Sequence, residues 1–256
     1  LKKRLDKTIA VGKSNKIFII GAGPSGVELS CKVSDFYKSK FEVNIVEKTS
    51  EILNNSKIFN REEAEKTIAK KNINLMKNYS VVEINDEQIL LSNNLNQVEK
   101  FPYFDVIWTA GIKPNLPEFN QKIQKINNKI LINNNLQLHD YPNIFVLGDI
   151  TQVERDISYP VTAQVAMQQG EHVALNLKLL INNEKLLPFK FKDNGEMMSL
   201  GIGEATISGL GLTFSGKLAY DFRRIIYASK MPKIEKSLKS TTSWFLEKKS
   251  IFKGIL

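Results

Sequence analysis

The sequence predicts an α/β protein built around a parallel sheet, and three observations carry that prediction. Residues 16–20, KIFII, form a short apolar run that ends on Gly21, and Gly23 and Gly26 complete a G-x-G-x-x-G pattern. A stretch with helical spacing follows from about Pro24 to Lys38. A second run, Phe41–Glu47, alternates Phe41, Val43 and Ile45 and closes on a carboxylate, Glu47, 26 residues after Gly21. Strand, glycine turn, helix and strand in this order make a βαβ unit, whose two strands run parallel.

The flanking elements follow in order. Lys2–Val11 reads as the end of a helix, and residues 12–15 break it before the first strand. Arg61–Lys71 reads as a helix with a charged outer face. Short β-rich pieces are expected at Ile73–Leu75, Ser80–Ile84 and Gln88–Leu91, separated by the turn signals Asn85-Asp86 and Asn93-Asn94. A strand at Phe104–Thr109 ends in Ala110-Gly111, and Lys113–Glu118 is a proline-containing exit. Ile130–Leu138 is expected to hold strands, and Asn143–Leu147 a short apolar strand running into Gly148-Asp149. Val161–Leu180 has helical character throughout. From Phe189 the chain turns glycine-rich, then basic and amphipathic. No repeat is present, and the only compositional bias is toward Asn and Lys.

At 256 residues and 42% hydrophobic content, the chain can bury one large core or two modest ones. Its 36 basic and 27 acidic residues give a net charge of +9, and +6 of that lies in Phe189–Leu256, which holds twelve basic and six acidic residues. A basic end suits an anionic lipid surface or nucleic acid, but no nucleic-acid reading motif accompanies it, so a nucleic-acid partner is not expected. Cys31 is the only cysteine, which excludes a disulfide framework, a CxxC pair and a zinc set. His139 and His172 are isolated, and no metal site is expected. No apolar run approaches the roughly 18 residues of a membrane span, and no signal-peptide pattern opens the chain. A first residue of Leu1 rather than Met suggests a piece of a longer protein.

In a Rossmann turn, Gly21 permits the tight bend, Gly23 lets backbone approach a pyrophosphate, and Gly26 allows close helix–strand packing. Gly21, Gly23, Pro24, Ser25 and Gly26 are therefore the candidate phosphate turn, with helix amides facing the anion. Glu47 can accept both hydroxyls of an adenosine ribose. It would repel a 2′-phosphate, favouring NADH, although Lys48 beside it keeps NADPH open. Ala110-Gly111 closes this domain. Further on, NIFVLGD ends an apolar run in Gly148-Asp149, either a helix-capping turn or a carboxylate presented to the ribitol hydroxyls of FAD. A later glycine cluster, GIGEATISG at Gly201, lacks the third glycine and the preceding strand of a second fingerprint.

The order of these motifs resembles the two-dinucleotide flavoprotein superfamily, in which a nicotinamide domain is inserted into a split FAD domain. The resemblance implies the segments 1–13 (end of the first FAD segment), 14–115 (NAD(P) domain), 116–184 (second FAD segment) and 185–256 (C-terminal membrane-associating region, with an amphipathic helix). VTAQVAMQQGEHVALNL resembles the AQxAxQ helix of type II NADH dehydrogenases, flavoenzymes that pass electrons from NADH to a membrane quinone. GVELS, VIWTAGIKPN and the stretch EMMSLGIGEATISGLGLTFSGKLAYDFRRIIYASKMP extend the resemblance over most of the chain, closest in style to the cyanobacterial and plastid branch. Ile202 stands where many of these enzymes carry a basic residue. The resemblance implies FAD and NAD(P)H as cofactors, hydride transfer to the flavin, and two-electron, non-proton-pumping reduction of quinone. Ala163 would border the flavin. Gln164 and Gln168, at i and i+4 on one helix face, would present amides to flavin and quinone or form a polar surface stripe. Glu28 would meet the nicotinamide, orienting its carboxamide or relaying a proton, or stay a solvated helix residue.

Beyond Ile234, apolar or small residues at Leu238, Thr241, Phe245 and Phe252 recur among lysines, with Trp244 as an interfacial aromatic. That composition suits a helix lying on a bilayer, at the cytoplasmic or stromal face, or a partner or homodimer helix. Two other readings stay open: a soluble disulfide reductase of the same superfamily and a non-catalytic NAD-binding redox sensor.

Overall fold

The computed structural model describes Leu5, residues 14–154 and 158–231, and the single positions 233, 235, 236 and 242. The helices expected at Lys2–Val11 and beyond Ile234 lie outside these residues, single positions apart. Two compact units emerge, one joining Leu1–Ala110 with Asn194–Leu256, the other Gly111–Asp193. Among the described residues no helix is long and apolar enough to cross a membrane.

In the first unit, β1 (Lys16–Ile20), β2 (Glu42–Glu47), β3 (Asn74–Lys77) and β7 (Asp105–Trp108) form a parallel sheet in the order β3-β2-β1-β7. The helix α1 (Pro24–Tyr37) links β1 to β2, and α2 (Ile58–Lys70) links β2 to β3. Because β1 is central and covered on both faces, its apolar run is continuous rather than alternating. Ile17 and Ile19 join the core under the helices with Val27, Cys31 and Ile68. Phe18 and Ile20 point the other way, into a second core with Ile89 and Leu91. That side is covered by an antiparallel sheet of β4 (Ser80–Ile84), β5 (Gln88–Ser92) and β6 (Val98–Pro102). Burying each such side chain fully contributes roughly 1.5–3 kcal/mol. The strand β6, VEKFP, is absent from the sequence expectation because it is an edge strand of mostly exposed polar residues.

Residues from Asn194 onward belong to this same unit. β11 (Glu196–Ser199), β12 (Ala205–Gly209) and β13 (Leu212–Ser215) form an antiparallel meander, followed by α4 (Gly216–Ser229). A strand does precede the glycines of GIGEATISG, contrary to the sequence expectation, but it pairs as a hairpin rather than opening a dinucleotide turn. Carboxylates fasten the meander and α4. Glu196 accepts from the Ser56 hydroxyl (2.6 Å), the Lys57 N–H (2.9 Å) and Asn60 Nδ2 (2.9 Å), serving the N-terminus of α2, which has no side-chain cap of its own. Glu28 on α1 accepts from the Ser199 N–H at 2.9 Å and from Arg223 at 3.3 Å. Asp35 accepts from the Ile202 N–H at 2.6 Å and pairs with Lys71, which also faces Glu204.

The second unit holds a small sheet, in which β9 (Lys129–Ile132) lies between β8 (Lys125–Ile126) and β10 (Thr151–Val153), and one long helix, α3 (Ala163–Ile181). Ile130, Ile132, Leu136, Leu138, Val146, Val173 and Phe189 form its core. The strand expected at Asn143–Leu147 does not form. Phe145 makes a single bridge to Gln137, and Gln137 turns its side chain onto the Pro142 carbonyl. The apolar side chains of this segment fill a core, but its backbone lacks a partner strand.

Candidate functional site

The sheet of the first unit reverses its winding at β1, which has β2 on one side and β7 on the other. In such sheets ligands bind beyond the carboxyl ends of the strands at that point. The turn Gly21–Gly26 leaves β1 there, Glu47 ends β2, and Ala110-Gly111 follow β7. Gly21 has φ +100° and packs against Ala110, whose Cα would lie 3.0 Å from an added Cβ. At Gly26 a Cβ would collide with the Gly21 carbonyl oxygen, so glycine is what lets α1 approach β1. The Thr109 hydroxyl braces the same turn, donating to the Ile20 carbonyl at 2.8 Å. A Cβ at Gly23, by contrast, would meet nothing within 4 Å, leaving the backbone open to an incoming group.

The helix α1 starts with Pro24 at N1, has no side-chain cap and carries no acidic residue in its first turn. The N–H groups of Ser25 and Gly26 therefore lack intrahelical acceptors, the arrangement by which a helix N-terminus takes an anion. The geometry of this turn fits a dinucleotide pyrophosphate. Glu47 Oε2 accepts from the Ala22 N–H at 2.8 Å, and Oε1 from the Thr49 N–H (3.0 Å) and hydroxyl (2.9 Å). Burial alone would raise the Glu47 carboxyl, but hydrogen bonds from Ala22, Thr49 and the Lys48 N–H outweigh it and hold the group below the usual carboxylate range. Glu47 is thus an anion at neutral pH, fixed against the glycine turn.

In the second unit, Gly148 (φ +82°) places Asp149 at an exposed turn. Buried Gln169 holds that turn, its Oε1 accepting from the Gly148 N–H at 2.6 Å, and Thr151 donates to the Gly148 carbonyl at 2.8 Å. The Asp149 turn borders a shallow pocket of about 20 Å³ lined by Lys129, Tyr159, Val165 and Gln169 among others. Burial pushes the Tyr159 phenol up, so it remains a donor, to the Phe189 carbonyl at 3.3 Å. A left-handed glycine that leaves Asp149 exposed presents a carboxylate able to accept from the hydroxyls of a polyhydroxylated ligand such as a ribityl chain.

A sequence profile described as "Pyridine nucleotide-disulphide oxidoreductase" matches residues 2–170. The chain belongs to the pyridine nucleotide-disulphide oxidoreductase family. Within it, the chain matches the type II NADH dehydrogenase branch of plants and cyanobacteria. It is 33% identical to the demethylphylloquinone reductase NdbB of Synechocystis, over 90% of this chain and 57% of that protein. It is 30% identical to the alternative NAD(P)H-ubiquinone oxidoreductase C1, chloroplastic/mitochondrial, of Arabidopsis thaliana, over 96% of this chain and 51% of that one. The chain thus spans about half the length of these relatives. The fold matches NDH2 from Plasmodium falciparum, solved in complex with NADH, with a TM-score of 0.82 at 16% identity, over 96% of this chain and 69% of that one.

The remaining candidates of this family member fall in two places. Ala163 is the first residue of α3, after the capping Thr162. Gln164 and Gln168 share one face of α3, their amides 3.5 Å apart. Gln168 is doubly engaged with one backbone position, donating to the Lys192 carbonyl (2.8 Å) and accepting from its N–H (3.0 Å). Glu28 is not a solvated helix residue. Its Oε1 joins Ser199 and Arg223, and the Arg223 guanidinium also lies 4.7 Å from the Tyr227 ring centre. Among the described residues no cluster of metal-binding side chains occurs. Gln169, Thr49 and Thr109 were missed by sequence reasoning. Only Gln169 carried a signal, as a third glutamine beside the motif.

Proposed function

We propose that this chain supplies the nicotinamide site and the second half of the flavin site of a type II NAD(P)H:quinone oxidoreductase. The observation that carries this reading is the occurrence in one chain of an open glycine turn with an anionic Glu47 and a separate, Gln169-braced Gly148-Asp149 turn. Ser25 and Gly26 bind the nicotinamide dinucleotide's pyrophosphate, Glu47 takes the adenosine ribose and favours NADH, and Ala110-Gly111 border the turn. Asp149 and Gly148 hold the ribitol of FAD, with Ala163 at its edge. When bound, the flavin supplies the two-electron chemistry between NAD(P)H and a quinone. Gln164 faces the quinone side, with Gln168 fixing the Lys192 segment beside it, and Glu28 sets the position of α1 at the nicotinamide end through Ser199 and Arg223.

Supplied with a first FAD-binding segment, the chain should purify as a yellow protein, and Gln164→Ala and Gln168→Ala should slow quinone reduction while leaving reduction of the flavin by NADH within about twofold. Stopped-flow absorbance separates the two steps. A colourless product would reject the split-domain reading, and loss of flavin reduction with unaltered quinone kinetics would reverse the glutamine assignment.

A membrane surface at the cytoplasmic or stromal face completes the proposal. On α4, Leu218, Phe222 and Ile225 lie at i, i+4 and i+7 and are 70%, 53% and 63% exposed, with Leu210 and Leu212 also exposed on the meander. Lys217, Arg224 and Lys230 flank them, the pattern of a helix lying in a lipid interface. Replacing both Phe222 and Ile225 by Glu should release the chain from anionic vesicles in a sedimentation assay. Unchanged sedimentation would place the attachment elsewhere, and a halved mass of the variant in solution would assign the face to a homodimer.

A further inference from the structure

We propose that Thr49 is a positioning residue for the adenosine subsite, holding the Glu47 carboxylate in the orientation that distinguishes a free ribose from a 2′-phosphorylated one. The inference rests on the reading of Glu47 as the ribose acceptor and adds what makes that acceptor selective. Glu47 Oε1 receives both Thr49 donors, at 3.0 and 2.9 Å, while Oε2 is held by Ala22. Each oxygen is thus pinned, Oε1 with both lone pairs taken by Thr49, so that Oε2 is the oxygen turned toward a ribose hydroxyl.

The Thr49 hydroxyl has one proton and two acceptors in reach, Glu47 Oε1 at 2.9 Å and the Glu51 carbonyl at 2.8 Å. An ionised carboxylate is the stronger acceptor. Asn54 Nδ2 donates to the same hydroxyl oxygen at 2.9 Å, so one of its lone pairs is filled and its rotation is restricted. The loop carrying both residues is anchored to the glycine turn, because the Leu53 N–H donates to the Ala22 carbonyl at 3.0 Å. Ala22 therefore holds Glu47 through its N–H and the loop through its carbonyl. The turn that meets the pyrophosphate and the carboxylate that meets the ribose form one hydrogen-bonded piece, with Thr49 and Asn54 as its outer brace. Without the hydroxyl, Glu47 is held by the Ala22, Lys48 and Thr49 N–H groups alone and its carboxylate is less firmly oriented, so that exposed Lys48 beside it can meet a 2′-phosphate.

The test is calorimetric titration of the 256-residue chain with NADH and with NADPH, in four forms: unmodified, Thr49→Val, Thr49→Ser and Glu47→Gln. Valine keeps the shape and loses the hydroxyl, whereas serine keeps the hydroxyl. The ratio of the NADPH to the NADH dissociation constant should narrow roughly fivefold in Thr49→Val, toward the Glu47→Gln value, and stay within about twofold in Thr49→Ser. A Thr49→Val chain with the unmodified ratio would overturn the positioning role while leaving the ribose reading intact. An unmodified chain without preference for NADH would remove the ribose reading, and the inference with it. Thr49 is exposed, so melting curves of the variants should superimpose. Asn54→Ala, which disturbs only the backing donor, should narrow the ratio by less than Thr49→Val, and an Asn54→Ala effect equal to or larger than that of Thr49→Val would also overturn the scheme.

Discussion

Gly26→Ala should destabilise the chain by about 3 kcal/mol or more and remove measurable NADH binding, whereas Gly23→Ala should leave the fold intact and still weaken NADH at least tenfold. The two glycines sit three residues apart and fail for different reasons. A methyl at Gly26 would overlap the Gly21 carbonyl oxygen and crowd the Thr109 hydroxyl at 2.9 Å. The first is backbone, so relief requires α1 to move off β1, which opens the core around Val27 and Cys31 and costs more than a usual overpacked side chain. At Gly23 the added methyl meets no protein atom, and the backbone, at φ −71°, is one that alanine adopts freely. The methyl instead occupies the approach to Ser25 and Gly26, so the loss falls on the ligand. Melting curves and NADH titration of both variants separate the effects. A stable Gly26→Ala chain, or a Gly23→Ala chain with unchanged affinity, would contradict this division of roles.

That division was readable in the sequence because the glycine fingerprint states a backbone requirement. The βαβ unit was equally legible, since β1 is a continuous apolar run and β2 ends in Glu47. Legibility declined where a residue's role depends on a distant partner. Glu196 reads as a surface glutamate, yet its neighbours Ser56, Lys57 and Asn60 lie some 140 positions earlier. Glu28 matched a motif, but its partnership with Ser199 and Arg223 is tertiary. Asn143–Leu147 had the composition of a strand and lacked only a neighbour to pair with, which composition cannot supply. The Asn bias has a local explanation that patterning overlooked. Asn72, Asn78, Asn96, Asn127, Asn128 and Asn183 all adopt positive φ, so asparagine serves here at turn positions that glycine often fills.

Lys71→Met should cost about 2–3 kcal/mol at neutral pH, with a penalty that shrinks on acidification. Lys71 lies at the end of α2 between Asp35 of α1 and Glu204 of the meander, its side chain 12% exposed. Burial alone would lower the Lys71 ammonium, but the hydrogen bond and charge of Asp35, with Glu204, raise it above its ordinary 10.5. Burial likewise would raise Glu204, and Lys70 and Lys71 hold it below its ordinary 4.5. A raised lysine contributes stability that is complete below its unfolded pKa and lost as pH rises through the folded value. A depressed carboxyl contributes stability that is present above its unfolded pKa and lost as pH falls through the folded one. The cluster is therefore fully stabilising from about pH 5 to pH 10, and the unmodified chain weakens on acidification. Methionine fills the lysine's volume but removes the cation that Asp35 and Glu204 share, leaving Asp35 to the Ile202 N–H and Glu204 to Lys70, and removing one partner of a largely buried pair is costly. Glu204, left with exposed Lys70 as its cation, is then held down less, so the variant should lose less stability than the unmodified chain as pH falls from 7 toward 4. Urea unfolding followed by circular dichroism across that range measures the gap, and a penalty that is constant or growing toward pH 4 would show that Lys71 acts by packing alone.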